Sequence, residues 1–325
     1  MQVSVICTVL NEGESIRRLM DSLVAQTRTP DEVVIVDGGS SDNTVAILDE
    51  YRDRLRLRVL IERGANISRG RNVAIAAARG EIIASTDAGV RLEPQWLAEL
   101  VKPLENSDAR AAAGFFVSDP QTTFEVAMGA TVLPDVEDID PGSFLPSSRS
   151  VAFIKEAWAA AGGYPEWLDY CEDLIFDFRL REEVGSFAWA PAAVAHFRPR
   201  STARAFAKQY YRYARGDGKA DLWRKRHLIR YVTYLIALPT LIALGFRHRP
   251  FWFLALLAGV IAYCKSPYRR LGKRLPELSP RERLRTVLLV PLIRGLGDIA
   301  KMAGYPAGWA WRLSNWQRPE IHWRR

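Results

Sequence analysis

Glu81-Ile82-Ile83-Ala84-Ser85-Thr86-Asp87-Ala88-Gly89 decides the fold. A mostly apolar run ends abruptly in an acid, a small residue and a glycine. A strand buried on both faces of a parallel sheet reads as such an unbroken run. In an open α/β sheet its carboxyl end delivers side chains into the ligand crevice. Upstream, residues 2–10 form a similar run that Asn11-Glu12-Gly13-Glu14 breaks. Ile16, Leu19, Met20 and Leu23 then recur at helical spacing. Val33-Val34-Ile35-Val36 is a second strand, ending in the turn formers Asp37-Gly38-Gly39-Ser40-Ser41-Asp42-Asn43-Thr44. A third strand near Leu57–Ile61 and a helix over Ser68–Ala78 lead into the opening stretch. This order argues for parallel βαβ units.

Beyond Gly89 a helix runs from Pro94 to about Leu104, and Ala109–Val117 reads as a strand. Residues 118–150, with several Pro, Asp and Ser and little periodicity, read as a loop or insertion near an acceptor side. Helices are expected over Lys155–Ala161 and Cys171–Glu183, then a short hairpin over Phe187–Phe197. Residues 202–217 make a basic, aromatic helix that Gly216 and Gly218 are expected to end. Its two readings are a helix lying flat in a headgroup layer and an ordinary surface helix.

Length and charge set the wider frame. The 325 residues suffice for more than one domain. Residues 1–222 hold 25 Lys/Arg against 33 Asp/Glu, a net −8, whereas residues 223–325 hold 20 against 4, a net +16. The positive charge flanks apolar runs rich in Trp and Tyr, which suits an anionic membrane surface and argues against nucleic acid. Tyr231–Phe246 and Phe251–Cys264 are uncharged runs of 16 and 14 residues, short against the roughly 20 of a straight span. Snorkelling of Arg230, Arg247, His248 and Lys265 makes a thin helical hairpin feasible, with re-entrant, interfacial or buried pairs as alternatives. The basic flanks place both ends of the hairpin in the cytoplasm. Val287–Ala303, which carries Arg294 and Asp298, reads as an interfacial amphipathic helix. Cys7, Cys171 and Cys264 are far apart and odd in number, which fits a reducing compartment. The N-terminus reads as a strand without a basic leader, so no signal peptide is expected. The expected domains are 1–222, divided near 117, and a helical membrane-anchoring region 223–325.

Transfer of a sugar from a nucleotide needs polar contacts for base and ribose, positive charge for the diphosphate, and a base for the acceptor hydroxyl. Asn11, Glu12, Asp37 and Asp87 at strand exits meet the first need. Arg71, early in a helix, offers a phosphate a planar donor fork; its bland alternative is a solvated helix-start arginine. Glu172-Asp173 opens another helix, where acids also suit the dipole without any catalytic role.

Together these blocks are specific. Val3-Ser4-Val5-Ile6-Cys7-Thr8-Val9-Leu10-Asn11-Glu12, Val34-Ile35-Val36-Asp37-Gly38-Gly39-Ser40-Ser41-Asp42-Asn43-Thr44, Gly70-Arg71-Asn72, Thr86-Asp87-Ala88-Gly89 and Glu172-Asp173, in this order, resemble a family two glycosyltransferase. The resemblance covers residues 2–217. It implies a GT-A (Rossmann-like) mixed α/β sheet with flanking helices, a UDP- or GDP-linked sugar donor, and inversion at the anomeric carbon. By it Asp37 would contact the base, Asn11 and Glu12 would line the nucleoside pocket, and Arg71 would approach the ribose and diphosphate. Asp87 would be the first carboxylate of an Asp-x-Asp motif holding Mg²⁺ or Mn²⁺ on the diphosphate, and Asp173 the catalytic base beside Glu172. The sequence departs from the pattern at Gly38, where a second acid is common, and at Gly89, where the second Asp would stand. The metal is then held more weakly, or completed by another group such as His196. Gln209-Tyr210-Tyr211-Arg212-Tyr213 resembles the Gln-x-x-Arg-Trp motif of membrane-bound polysaccharide synthases, with Tyr213 for Trp. Arg212 would then meet the diphosphate and Tyr213 the acceptor sugar or lipid.

The expectation is a membrane-attached, cytoplasm-facing, inverting transferase acting on a lipid-linked or membrane-proximal acceptor. A cell-surface polysaccharide synthase, a nucleotidyltransferase and a non-catalytic membrane scaffold are the alternatives. A nucleotidyltransferase would carry a Gly-rich basic loop after the first strand, where this chain has acidic Asn11-Glu12-Gly13-Glu14.

Overall fold

A computed structural model describes residues 1–324. Its chain contacts divide it into two compact units, residues 1–119 with 135–198, and residues 120–134 with 199–325.

The first unit holds one mixed sheet. In chain order it contains β1 (Val3–Val9), α1 (Ile16–Val24), β2 (Glu32–Asp37), α2 (Thr44–Asp49), β3 (Leu57–Ile61), α3 (Ile67–Ala77), β4 (Ile82–Ser85), β5 (Val90–Leu92), α4 (Trp96–Asn106) and β6 (Ala111–Ser118). After the segment belonging to the other unit, where α5 (Thr123–Val132) lies, come β7 (Val151–Ile154), α6 (Lys155–Ala160), α7 (Glu172–Val184) and β8 (Ala188–Phe197). The strand order is β3-β2-β1-β4-β7-β6-β8-β5. The first four strands are parallel, and β7 is antiparallel to both β4 and β6.

Alternation along the strands feeds two cores. Val3, Val5, Cys7 and Val9 of β1 join Val33, Ile35 and Ala84 beneath α1 and α4. Ile6, Val34, Val36 and Ile83 point the other way and pack with Ala74 and Ile75 of α3 and Phe176 and Leu180 of α7. Burial on both faces is why β1, β2 and β4 are almost wholly apolar. The chain winds outward from β1 to β3, then returns to place β4 on the other side of β1. That reversal is the switch point outside which ligands of open α/β sheets bind. The exits of β1 and β4, Asn11-Glu12 and Asp87, both lead there.

Two expectations for this unit need correction. Ala188–Phe197 is one strand rather than a hairpin: it pairs with β6 on one side and β5 on the other, with a register break opposite Ala113–Phe115. Pro191 lies in the excursion that breaks the register, and lacking an N–H it donates to no neighbouring strand. Residues 118–150 are not wholly loop, since they contain α5.

The second unit is helical: α5, α8 (Ala203–Lys219), α9 (Arg224–Val232), α10 (Leu238–Arg247), α11 (Trp252–Arg274) and α12 (Pro280–Ser314). Gly216 and Gly218 do not end α8, which continues to Lys219. A Cβ on Gly218 would sit 2.4 Å from the Tyr305 carbonyl oxygen, and on Gly304 and Gly308 it would sit 2.1 Å from those of Tyr211 and Arg215. Small residues let the backbones of α8 and α12 touch, which ties α8 to this unit rather than to the sheet. The expected helix over 287–303 is the middle of the longer α12, where Val290, Ile293, Gly297, Ala300, Gly304 and Gly308 form one buried stripe. Arg224–Arg247 is continuous, with a π-helical turn at Thr233–Ala237 between α9 and α10. Pro239 cannot donate to the carbonyl four residues back, a common origin of such turns. Among the described residues this is the one helix long and apolar enough to cross a membrane, and Leu235, Ile236 and Phe246 on it are exposed. The second run, 251–264, lies in α11, which continues into the basic residues 265–274.

Candidate active site

The β1 exit is held by side-chain oxygens. Asn11 takes a left-handed backbone (φ 54°), donates its N–H to Ser40 Oγ at 2.8 Å and accepts the Ser41 N–H on Oδ1 at 2.8 Å. The Glu12 and Gly13 N–H groups both donate to Thr44 Oγ1 at 2.9 Å. Asp37 is buried at the end of β2. Its Oδ2 accepts the Gly39 and Ser40 N–H groups at 2.9 and 2.8 Å, and its Oδ1 accepts the Ser40 hydroxyl. The loop expected to meet a base is thus shaped by Asp37 itself, in the manner of an Asx turn. Thr8, Leu10, Glu12, Gly38, Asn66 and Gly70 line a cleft of ≈ 280 Å³ at this edge.

Arg71 is where the sheet and the later helices meet. Gly70 lets α3 lie against β1, since a Cβ there would be 2.7 Å from Thr8 Cγ2. Arg71, 2% exposed, donates Nη1 to Glu172 Oε1 and Nη2 to Asp87 Oδ1, each at 2.8 Å, with Tyr164 facing its guanidinium at 5.2 Å. Its fork is committed to two carboxylates, so here Arg71 does not stand open to a phosphate, as the sequence led us to expect. A buried cation is retained where opposite charges meet it. The neighbouring Asn72 clamps the turn before α7: its Nδ2 donates to the Tyr164 carbonyl and Glu166 Oε1, and its Oδ1 accepts the Tyr164 N–H, each at 2.9 Å.

Glu172 and Asp173 open α7 immediately after Cys171, whose φ of 65° is left-handed. A non-glycine residue there costs roughly 1–2 kcal/mol, and the turn aims Glu172 back at Arg71. Burial pushes Glu172 up to about 7, helped by the Asp173 charge and opposed by Arg71. Burial likewise raises Asp173, against the pull of Arg71, while Oδ1 accepts the Leu174 N–H at 2.9 Å. Asp177, one turn further along and 1% exposed, is raised by burial and by its acidic neighbours. A carboxylate held basic beside a crevice suits proton abstraction.

Asp87 is partly exposed, and its second oxygen lies 3.3 Å from Arg149 Nε. Sequence reasoning missed Arg149, because it stands in the aperiodic 118–150 stretch. The missed signal is Ser148-Arg149-Ser150. Both serines are buried, Ser148 against the Tyr164 hydroxyl at 3.0 Å and Ser150 donating to the Ala193 carbonyl at 2.8 Å. The three residues lie in a turn that the Ser150 N–H closes on the Ser147 carbonyl at 3.0 Å, and this turn brings Arg149 beside Asp87.

His196 does not complete a metal site with Asp87, since its Nε2 is hydrogen-bonded to Glu93. Among the described residues no group of three or more His, Cys, Asp or Glu is poised to hold a metal. Gly89 leaves open space and offers no ligand. Asp87 therefore fits an ion held mostly by a diphosphate and water, a set that Mg²⁺ accepts with one carboxylate. Gln209, Arg212 and Tyr213 lie on α8 of the other unit, where Gln209 Nε2 donates to the Tyr213 hydroxyl at 2.8 Å.

Comparison with known proteins bears on this arrangement. Residues 4–145 match the model of glycosyl transferase family 2. Over 94 residues the chain is 36% identical to the uncharacterized glycosyltransferase YibD of Escherichia coli (strain K12), covering 29% of this chain and 27% of that protein. Over 92 residues it is 37% identical to the poly(ribitol-phosphate) beta-N-acetylglucosaminyltransferase TarS of Staphylococcus aureus (strain Mu50), covering 27% and 16%. The chain thus spans about a third or less of the length of such curated relatives. Among solved structures, the mannosyltransferase PcManGT of Pyrobaculum calidifontis, in complex with GDP-Man and Mn²⁺, superposes with TM-score 0.56 at 19% identity, over 93% of this chain and 87% of that one. S. aureus TarS 1–349 superposes with TM-score 0.51 at 19% identity, over 98% and 93%. These likenesses establish the GT-A fold, and residues 4–145 of the chain resemble glycosyl transferase family 2.

Proposed function

We propose that the protein is an inverting glycosyltransferase that moves one sugar from a UDP- or GDP-linked donor to a lipid-linked or membrane-proximal acceptor. The observation that carries this reading is the Arg71 bridge. It draws the β4 exit, Asp87, and the α7 start, Glu172-Asp173, to one guanidinium beside the sheet's switch point. A donor seated over the β1 and β2 exits would present its diphosphate to Asp87 and its anomeric carbon toward Asp173.

In that arrangement Asp173 takes the acceptor hydroxyl proton as the oxygen attacks the anomeric carbon. The new C–O bond forms on the face opposite the bond to the diphosphate, which leaves with its electron pair as the nucleoside diphosphate. Burial keeps Asp173 a stronger base than an exposed aspartate. Arg71 fixes Asp87 and Glu172 before substrate arrives, so little reorganisation accompanies the reaction. A divalent cation on the diphosphate, held to the protein by Asp87, would neutralise the charge of the leaving group.

The membrane half of the reading is supported by the net +16 of residues 223–325 and by the exposed apolar helix Arg224–Arg247. The basic flanks argue for a cytoplasmic catalytic unit. On this reading Arg212 and Tyr213 serve the diphosphate and the acceptor. Curated relatives named for poly(ribitol-phosphate) modification favour a cell-envelope acceptor. Thermal-shift screening of UDP- and GDP-sugars tests the reading, because a ligand stabilises the folded form according to its occupancy. One donor raising Tm in a dose-dependent way is the expected result; no response to any of them would contradict it.

A further inference from the structure

We propose that Arg294 and Lys301 of α12 form a binding site for the phosphate of an anionic phospholipid, at the depth where both apolar runs of the second unit end. The inference rests on the reading that this unit is attached to a membrane. Arg294, Asp298 and Lys301 recur at helical spacing along one face of α12. Asp298 joins neighbouring helices. Its Oδ1 accepts Arg230 Nε of α9 at 2.7 Å, and its Oδ2 accepts the hydroxyls of Tyr234 at 3.2 Å and of Tyr263 on α11. Both oxygens are thus taken, and the cations on either side of Asp298 have no share in them. Among the described residues neither the Arg294 nor the Lys301 side chain has a hydrogen bond or an ion pair, and Arg294 Nε is buried without an acceptor. Aromatic faces hold them instead. The Arg294 guanidinium lies 4.1 Å from the Tyr263 ring centre, and Lys301 Nζ lies 4.8 Å from that of Tyr210 on α8.

Charge and depth name the occupant. Arg230, Arg294 and Lys301 outnumber Asp298 and the nearby Asp217 by one, and Asp217 also meets His227 Nε2 at 3.1 Å. Burial, then the charge of Arg230, lowers Lys301 against the pull of both acids, so a further anion is favoured there. Arg230 stands immediately before the 231–246 run, and Tyr263 stands at the end of the 251–264 run. By binding both, Asp298 fixes α12 at the level where the two runs leave the hydrocarbon. On the same reading the basic flanks make this the cytoplasmic face, where anionic headgroups lie. By helical spacing the Arg294–Lys301 row borders the buried stripe of α12 on one side and the exposed Leu288, Leu292 and Ile299 on the other. A lipid laid along those exposed side chains brings its phosphate to the two cations, whereas a soluble anion makes no use of them. A guanidinium stacked by its flat face keeps its edge donors for phosphate oxygens.

Native mass spectrometry and thermal unfolding of the full-length protein in detergent, with phosphatidylglycerol or phosphatidylcholine added, test the site. Wild type should retain phosphatidylglycerol in preference to phosphatidylcholine and gain Tm from it in a dose-dependent way. Arg294→Gln combined with Lys301→Gln should bind phosphatidylglycerol about tenfold or more weakly, roughly fivefold for each charge removed. Neither side chain has a partner to lose, so this variant should match the wild-type Tm when phosphatidylcholine alone is present. Arg294→Lys combined with Lys301→Arg, which keeps both charges in place, should bind within a few-fold of wild type. Arg281→Gln combined with Arg285→Gln, which removes two exposed cations of the same helix, should leave the affinity nearly unchanged. Equal retention of the two lipids by wild type, an equal loss from both glutamine pairs, or stabilisation by inorganic phosphate as large as by phosphatidylglycerol overturns the site and leaves the membrane anchor standing. A wild type that does not float with vesicles of phosphatidylcholine and phosphatidylglycerol overturns both.

Discussion

Arg71 and Glu172 stand 101 residues apart in the chain and meet at 2.8 Å, both buried. Through this pair the start of α7 is bound to the first turns of α3, and Asp173 is carried to the same place beside Glu172. Two consequences follow, one for stability and one for chemistry.

Among the described residues, Arg71→Ala removes the cation paired with Glu172 and one of two paired with Asp87. Stranding a buried charge costs about 3–5 kcal/mol. Chemical denaturation should show a loss of that size, with a smaller loss for Arg71→Ala combined with Glu172→Gln, because the stranded charge is then gone too.

Asp173→Asn keeps shape and removes the base. The expected loss in kcat is about 10²–10⁴-fold, with donor affinity by calorimetry close to wild type. Turnover within a few-fold of wild type would remove Asp173 from the base role.

Burial raises Asp173, so the base loses its activity above the pH at which an exposed aspartate would. The acidic limb of kcat/KM against pH should lie above the usual carboxylate range. Glu172, held near 7, acts on stability in the opposite sense. Between its unfolded value near 4.5 and 7 the folded state binds the extra proton, so this group's contribution to stability falls as pH rises through that window. Denaturation midpoints from pH 5 to 8 check the sign.

Gly308→Ala would place a Cβ 2.1 Å from the Arg215 carbonyl oxygen. Backbone cannot give way as a side chain does, and overpacking costs typically 1–3 kcal/mol. The variant should unfold its helical unit at lower temperature, followed by circular dichroism, while Gly272→Ala, which meets no atom within 4 Å, should not.

The parallel half of the sheet was legible because β1, β2 and β4 are buried on both faces and so read as unbroken apolar runs. Asp87 and Glu172-Asp173 stood out as acids at a strand exit and a helix start. What the sequence concealed is tertiary. Gly216 and Gly218 look like a helix stop, yet α8 runs through both, and Gly218 is a spacer for a helix crossing that no local pattern records. Pro191 looks like a turn, yet it is an excursion within one strand. Arg71 looks like a free cation because its partners lie 16 and 101 residues away. Arg149 is brought to Asp87 by a turn that the aperiodic 118–150 stretch does not announce.

Nucleoside diphosphate release from a panel of UDP- and GDP-sugars, by membranes carrying wild type or Asp173→Asn, tests the central claim most directly. The account predicts release from one donor, stimulated by membrane extract and lowered at least about 10²-fold by the substitution. No release from any donor, or equal release by wild type and D173N, would contradict it.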